Sequence, residues 1–219
     1  MKIADAKLAK PEVIDTYAKI ASLYDLWGGL TETHARRKAL ALAQIQDGET
    51  VLEVAVGTGL TFWEILKANP NGENTGIDLT PAMLDKAIRK AAQSGQHNYT
   101  LQTGDAYHLD FPGQHFDLLM NNFMFDLLPE QDFPKVLAEF KRVLKPSGRI
   151  VLVNMTRSEH WYEQIWERVY RFNPRWLGGC RGVLLHDSLQ AAGFNNIHRE
   201  TVSQLGFPEE IITAKLAQE

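Results

Sequence analysis

The sequence predicts an α/β fold, a parallel sheet with helices on both faces. Three observations predict it. Short apolar runs alternate with stretches whose apolar residues recur every three or four positions, the first run breaks into a glycine turn, and the alternation persists from residue 50 to residue 153.

Residues 11–26 set Val13, Ile14, Tyr17, Ile20, Ala21 and Tyr24 at helical spacing, and Gly28-Gly29 is expected to end that helix. Residues 31–45 read as a second helix. After the Asp47-Gly48 turn, residues 50–56 form a short apolar run suited to a strand buried on both faces, broken at once by Gly57 and Gly59. A helix follows over 60–68, then a strand over 73–77, a helix over 81–93, and strands over 99–103 and 116–121. A helix over 130–144 is stopped by Lys145-Pro146-Ser147-Gly148, which turns the chain into a strand over 149–153. From Arg157 the rhythm changes. Residues 158–172 read as an aromatic helix, 173–181 as a loop with Gly and Pro, and 186–192, 197–202 and 211–217 as a last helix and two strands.

With 219 residues, the chain fits one domain of ordinary size, 1–219. Its 44% hydrophobic and 23% charged residues match soluble usage, and a net charge of −4 gives no field that would gather nucleic acid. Cys180 is the only cysteine, so no intrachain disulfide is possible, and no Cys/His spacing resembles a zinc site; no metal and a reducing, cytoplasmic compartment are expected. Asp5, Lys7 and Lys10 interrupt the first residues, which speaks against an export signal, and no apolar run reaches the ~18 residues of a spanning helix.

The most informative segment is Val51-Leu52-Glu53-Val54-Ala55-Val56-Gly57-Thr58-Gly59-Leu60, a buried strand entering a glycine turn and then a helix. Gly57 and Gly59 would let backbone approach a ligand, since glycine has no Cβ and tolerates positive φ. The next strand ends in Gly76-Ile77-Asp78, which puts a carboxylate beside the same crevice, where it can accept both hydroxyls of a ribose. An adenosine-containing cofactor follows. A nicotinamide dinucleotide is disfavoured, because its G-x-G-x-x-G fingerprint would need a third glycine where Phe62 stands.

Glu53, Ala55, Gly57 and Gly59 instead give E-x-A-x-G-x-G, which resembles the first motif of class I S-adenosylmethionine-dependent methyltransferases, with Ala55 in place of the first glycine. Gly76-Ile77-Asp78-Leu79-Thr80-Pro81-Ala82-Met83-Leu84 resembles the second motif, Gly104-Asp105-Ala106 the third, Phe116-Asp117-Leu118-Leu119-Met120-Asn121-Asn122 the fourth-strand motif, and Phe140-Lys141-Arg142-Val143-Leu144-Lys145-Pro146-Ser147-Gly148-Arg149 the turn into strand five. The resemblance spans residues 17–194. It implies a Rossmann-like, mostly parallel seven-stranded sheet with an antiparallel last strand, an N-terminal helical cap over 1–46 and a substrate-cover insertion over 157–181. The implied cofactor is S-adenosyl-L-methionine. Its implied contacts are Tyr24, Glu53, Ala55, Gly57, Thr58, Gly59, Asp78, Leu79, Met83, Asp105, Ala106 and Asn121: the acidic residue of the first motif near the ammonium, Asp78 on the ribose, Asp105 and the Ala106 amide on adenine. Some of these have plainer readings. Glu53 could serve local amides, Asp78 could cap the following helix, and Met83 could be core. Asp117 reads as a turn cap and His108 as a loop histidine.

Methyl transfer needs alignment and a water-poor pocket before it needs a base, so no obligatory catalytic signature is expected. Candidate groups near the strand ends are Asn122, Asn154, His160 and Tyr24. Trp161, Ile165, Val169 and Phe172 form one helical stripe with Tyr162, Trp166 and Tyr170 beside it, which is either a core-facing helix or the roof of an acceptor pocket. Tyr17, Arg157, Trp161, Tyr162 and Trp166 are the substrate-side candidates. Within the class, Tyr24-Asp25 and Ala191-Gly193-Phe194 resemble the ubiquinone/menaquinone C-methyltransferase group. The segments 56–61 and 151–154 resemble bacterial phosphatidylethanolamine N-methyltransferases. A small or lipid-like acceptor, a prenylated quinone ring or an amine, is therefore expected, with peripheral contact to a membrane; a cofactor-binding regulatory domain without catalysis is the reading from another class.

Overall fold

The computed structural model describes residues 6–157, 164–174 and 178–217, with side chains outside 20–30, 164 and 167. Two helices, α1 (Lys10–Thr31) and α2 (Thr33–Ala43), precede the sheet. There follow β1 (Thr50–Val54), α3 (Leu60–Ala68), β2 (Glu73–Asp78), α4 (Pro81–Ala92), β3 (Tyr99–Thr103), β4 (Phe116–Asn122), α5 (Phe133–Val143), β5 (Leu144–Met155), α6 (Gln164–Phe172), α7 (His186–Ala191), β6 (Phe194–Gln204) and β7 (Phe207–Leu216). The strands form one seven-stranded sheet in the order β3-β2-β1-β4-β5-β7-β6. The first five strands are parallel, and β7 runs antiparallel to both β5 and β6. This is the mostly parallel, seven-stranded arrangement with helices on both faces that the sequence implied.

The central strands are apolar almost without interruption because both of their faces are covered. On one face Leu52, Leu119, Ile150, Leu152 and Ile212 pack with Phe133, Val136, Leu137 and Phe140 of α5 and Leu189 of α7. On the other, Val51, Leu118, Met120, Val151 and Ile211 meet α2, α3 and α4. Ala35, Ala39 and Ala43 recur every fourth position, so α2 lies on the sheet with no large side chain between. Arg149 fastens the end of that helix: Nε donates to the Ala43 carbonyl at 2.8 Å, and Nη1 and Nη2 donate to the two Glu49 carboxylate oxygens at 2.7 and 2.8 Å. Asp117 is structural, as its position suggested. Its Oδ2 accepts from the Thr50 amide at 2.9 Å and from Lys145 Nζ at 2.7 Å, pinning the starts of β1 and β5.

Several boundaries differ from the sequence reading. Helix α1 runs through Gly28-Gly29 to Thr31. Glycine makes a helix less favourable by only about 1 kcal/mol per residue, which tertiary packing overrides. Pro134 fixes the true start of α5 at its first turn, so 130–132 is a separate 3-10 turn rather than helix. Strand β5 begins at Leu144, opposite Phe116, and 145–148 bulge out of the ladder before Arg149 pairs with Leu118. Finally, Leu205 and Gly206, both at positive φ (54° and 75°), join β6 to β7 as a two-residue hairpin.

From β1 the chain proceeds through β2 and β3, then returns to place β4 on the other side of β1. At that reversal the loops diverge and leave a crevice at the carboxyl ends of the strands, where open α/β sheets take their ligands.

Candidate active site

A cavity of about 250 Å³ occupies that crevice. Ala55, Gly57, Asp78, Leu79, Met83, Asp105 and Ala106 line it, so seven of the expected cofactor contacts meet in one place. The N-terminal segment covers it with Leu8, Lys10, Val13 and Tyr17, and Met124, Leu127 and Leu128 from the turn after β4 close the remaining side.

The glycine turn divides its work. Ala55, Gly57 and Gly59 all have positive φ, 60°, 55° and 80°, which explains why glycine suits the first of these positions and why alanine is strained there. A Cβ at Gly57 would meet nothing within 4 Å, so this backbone faces open cavity and a ligand can approach it. Gly59 has a different reason. A Cβ there would stand 2.9 Å from Cα of Ala87, so Gly59 serves the packing of α3 against α4 and not the ligand. Neither Gly59 nor the buried Thr58 lines the cavity. Asp78 holds the turn in place: Oδ2 accepts from the Gly57 amide at 2.7 Å and Oδ1 from the Thr80 amide at 2.8 Å. It is therefore not a side-chain cap of α4. Burial raises its pKa, with those amides opposing.

Glu53 lies buried on β1 and does not line the cavity. Its Oε1 accepts from Asn122 Nδ2 at 3.1 Å, while Oε2 is buried without a partner. Burial pushes the carboxyl up to about 8, against the Asn122 amide and with the charge of Asp78 adding to the rise. Asn122 reaches the cavity. Asn121 does not: its amide nitrogen donates to the Val54 carbonyl at 2.8 Å and its Oδ1 is left unpaired. On the opposite wall Asp105 forms an ion pair with Lys10, and its Oδ1 accepts from the Tyr107 amide at 3.1 Å. The Lys10 ammonium also sits 5.2 Å from the centre of the Tyr107 ring. His108 is an exposed loop residue, as expected.

The acceptor side is less complete. His160, Trp161 and Tyr162 lie outside the described residues, as does the Tyr24 side chain. Tyr17 lines the cavity, and Arg157 is exposed past the end of β5. Asn154 is fully buried with both amide atoms unpartnered, and it is absent from the cavity wall. Trp166 does not line the cavity either. Its ring packs edge-on against Phe207, with centroids 5.2 Å apart, in a satellite core with Met155 and Tyr170. The apolar stripe of α6 is thereby corrected: Tyr170 is buried, whereas Ile165 and Phe172 are 57% and 80% exposed. The sequence reading missed Leu8, Lys10 and the 124–129 turn, whose apolar residues follow the fourth strand without helical or strand periodicity.

These walls fit an S-adenosyl group. Asp78 and Asp105, at and just past the ends of β2 and β3, put carboxylate acceptors on the wall that match a ribose diol and an exocyclic amine; off the wall, Glu53 Oε2 is a buried acceptor still lacking a donor, and the open face of Gly57 admits a ligand where a side chain would stand. Residues 51–148 match the methyltransferase domain family. The demethylmenaquinone methyltransferase of Lactobacillus johnsonii is 30% identical, the match covering 94% of this chain and 89% of that one. That of Listeria monocytogenes serotype 4a is 30% identical over 74% of this chain and 70% of its own length. Among solved structures, 1,6-didemethyltoxoflavin-N1-methyltransferase from Burkholderia thailandensis, bound to its substrate and S-adenosylhomocysteine, superposes with a TM-score of 0.71 at 19% identity, covering 98% of this chain and 94% of that one. That last likeness is one of fold. The chain belongs to the class I S-adenosylmethionine-dependent methyltransferases. It is an enzyme that uses S-adenosylmethionine to methylate a small-molecule acceptor.

Proposed function

We propose that the cavity beneath α1 is the cofactor site and that the acceptor is the ring of a prenylated quinol, methylated on carbon. The observation that carries the acceptor reading is the 30% identity to a demethylmenaquinone methyltransferase across nearly the whole of both chains. The apolar character of Leu8, Val13, Met124, Leu127 and Leu128 beside the cavity supports it.

When bound, S-adenosylmethionine supplies a methyl group on a sulfonium, ready for in-line displacement. Asp78 holds the Gly57 amide in place and takes the ribose hydroxyls. Glu53, buried and short of a donor, faces the ammonium end through Asn122. Asp105 and the Ala106 amide read adenine, and Met83 packs against it. The N-terminal segment excludes water, which strengthens each of these contacts. Tyr17 covers the acceptor, and the outward Ile165 and Phe172 with Arg168 and Arg171 on α6 give a peripheral membrane contact through which a lipid-borne ring is reached.

The test supplies methyl-labelled S-adenosylmethionine with chemically reduced demethylmenaquinol, with phosphatidylethanolamine vesicles, and with small polar amines. Label in a ring C-methyl group supports the reading. Label on the lipid amine or on a polar amine, with none on the quinol, overturns it in favour of N-methylation. Cofactor binding with no acceptor labelled would point to a regulatory domain.

A further inference from the structure

The N-terminal cover of the cavity is also held from the acceptor side. The Lys7 amide donates to Tyr170 Oη and the Lys7 ammonium to the Arg171 carbonyl, both at 3.2 Å. In the loop after α6, Gly178 and Gly179 have positive φ, 63° and 92°. A Cβ at Gly179 would stand 2.8 Å from Leu8 Cδ1, and one at Gly178 would stand 3.2 Å from Tyr17 Oη, so the bare backbone of this pair is the seat on which the cover rests. Tyr17 Oη also lies 3.4 Å from Cys180 Sγ. The same loop reaches the opposite wall. Arg181 is buried; its amide and Nη1 donate to the Asp126 carbonyl at 3.2 and 3.1 Å, and Nη2 donates to the Leu128 carbonyl at 2.8 Å. Leu8, Tyr17, Leu127 and Leu128 line the cavity, whereas residues 178–181 do not.

We infer that residues 178–181 are a clasp that sets how tightly the cofactor is held: Gly178 and Gly179 seat the N-terminal cover, Arg181 seats the 124–129 turn, and the two cavity walls close together. Arg181 is then a positioning residue, off the cavity wall and acting on the cofactor through Leu127 and Leu128. The inference rests on the reading of the cavity as the cofactor site. It gives the acceptor-side segment a second role. Whatever seats or displaces that loop changes cofactor retention, and by reciprocity a bound cofactor firms the acceptor side.

The residue types suit the task. An L-residue at Gly179 would be strained by its φ and would also push Leu8 off its seat, so glycine is required there on both counts. A buried guanidinium needs its donors satisfied, and the planar fork of Arg181 meets two carbonyls of one turn at once, which a lysine ammonium cannot match in geometry. Those bonds fix where Leu127 and Leu128 stand. Arg181 also faces the fully buried Asp126 carboxyl, whose Oδ2 accepts from the Met155 amide at 3.3 Å. Burial pushes that carboxyl up to about 7, and the Met155 amide and the charge of Arg181 oppose the rise.

The test is the dissociation rate of labelled S-adenosylhomocysteine, chased with unlabelled ligand, in single and double variants. Gly179→Ala should speed release by about tenfold or more. In a Leu8→Ala background, which lacks the side chain that the new methyl group would strike, the same substitution should speed release by less than about threefold, a coupling that a general loss of stability would not produce. Arg181 supplies a second series should the glycine variant not fold: Arg181→Met should speed release by about tenfold, with Arg181→Lys between it and wild type. Equal acceleration by Gly179→Ala in both backgrounds, or release from Arg181→Met within about twofold of wild type, overturns the clasp. A wild-type protein that does not bind S-adenosylhomocysteine overturns the cofactor reading instead. Amide hydrogen exchange of residues 8–17 in the ligand-free protein then tests the clasp by itself: faster exchange in Arg181→Met supports it, and unchanged exchange overturns it.

Discussion

Lys10, the first residue of α1, is ion-paired with Asp105 on the loop after β3, so the helix that covers the cavity is tied to the carboxylate assigned to adenine. Both partners are partly exposed, and such pairs are worth roughly 0.2–1 kcal/mol. An adenine amino group must share or displace that contact. Lys10→Met should therefore tighten S-adenosylhomocysteine binding by up to about fivefold and reduce its dependence on salt, measured by calorimetry. Weaker binding would mean that Lys10 itself contacts the ligand.

Asp78 both orders the Gly57 turn and faces the cavity, so Asp78→Ala should weaken cofactor binding by about 1.5–3 kcal/mol. Its pKa is raised, chiefly by burial. Binding that needs the carboxylate is lost as pH falls through that raised value, and affinity should decline on the acid side sooner than an ordinary aspartate would allow. Calorimetric titrations across pH check both points, and an unchanged dissociation constant in a folded variant would remove Asp78 from the site.

Ala55 occupies the left-handed region at φ 60°, which costs an L-residue roughly 1–2 kcal/mol. Glycine relieves the strain but loses more unfolded-state freedom. Ala55→Gly should stabilise the protein by up to about 1 kcal/mol, a rise of roughly 2–4 °C in Tm for a chain of this size. A fall in Tm would show that the alanine methyl packs favourably enough to offset the backbone.

Glu209 is fully buried at the start of β7 with both carboxyl oxygens unpartnered, and burial, together with the charge of Glu32, pushes it up to about 9. In the unfolded chain a glutamate titrates near ~4.3, so between these values the folded state binds more protons. Stability should accordingly fall as pH rises across that window, with Glu53, near 8, and Asp126, near 7, acting in the same direction. Glu209→Gln removes one contribution. It should be more stable than wild type at pH 8, by on the order of 2 kcal/mol, and have a flatter profile in denaturant titrations. A variant less stable than wild type at pH 8 would contradict this.

The sheet was legible because its strands are apolar runs bounded by glycine and by amphipathic helices, and both signals are local. Asp78 was legible from the strand end that it closes, whereas Glu53 and Asp105 were singled out only through the resemblance of their segments to methyltransferase motifs, and Asp78 and Asp105 line the cavity while Glu53 does not. The reason for Gly59 was not legible, because it lies on α4, at Ala87, which is distant in sequence. Asp126 and Glu209 also escaped notice. Phe-Asp-Leu and Pro-Glu-Glu have the composition of solvated turns, and only the packing of the 124–129 turn and of β7 under α2 buries them. Trp166 carried a signal for burial but none for what would bury it, and Phe207 rather than the cavity proved to be its partner.

The central claim is that the cavity beneath α1 is an S-adenosyl site, and calorimetric titration of the purified protein with S-adenosylhomocysteine, alongside NAD, tests it most directly. The account predicts saturable binding of one S-adenosylhomocysteine, weakened in Asp78→Ala and in Asp105→Ala, and no heat with NAD, since Phe62 stands where a pyrophosphate-binding loop needs its third glycine. Tight binding of NAD with no response to the sulfur nucleoside, or S-adenosylhomocysteine binding indifferent to both substitutions, would contradict it.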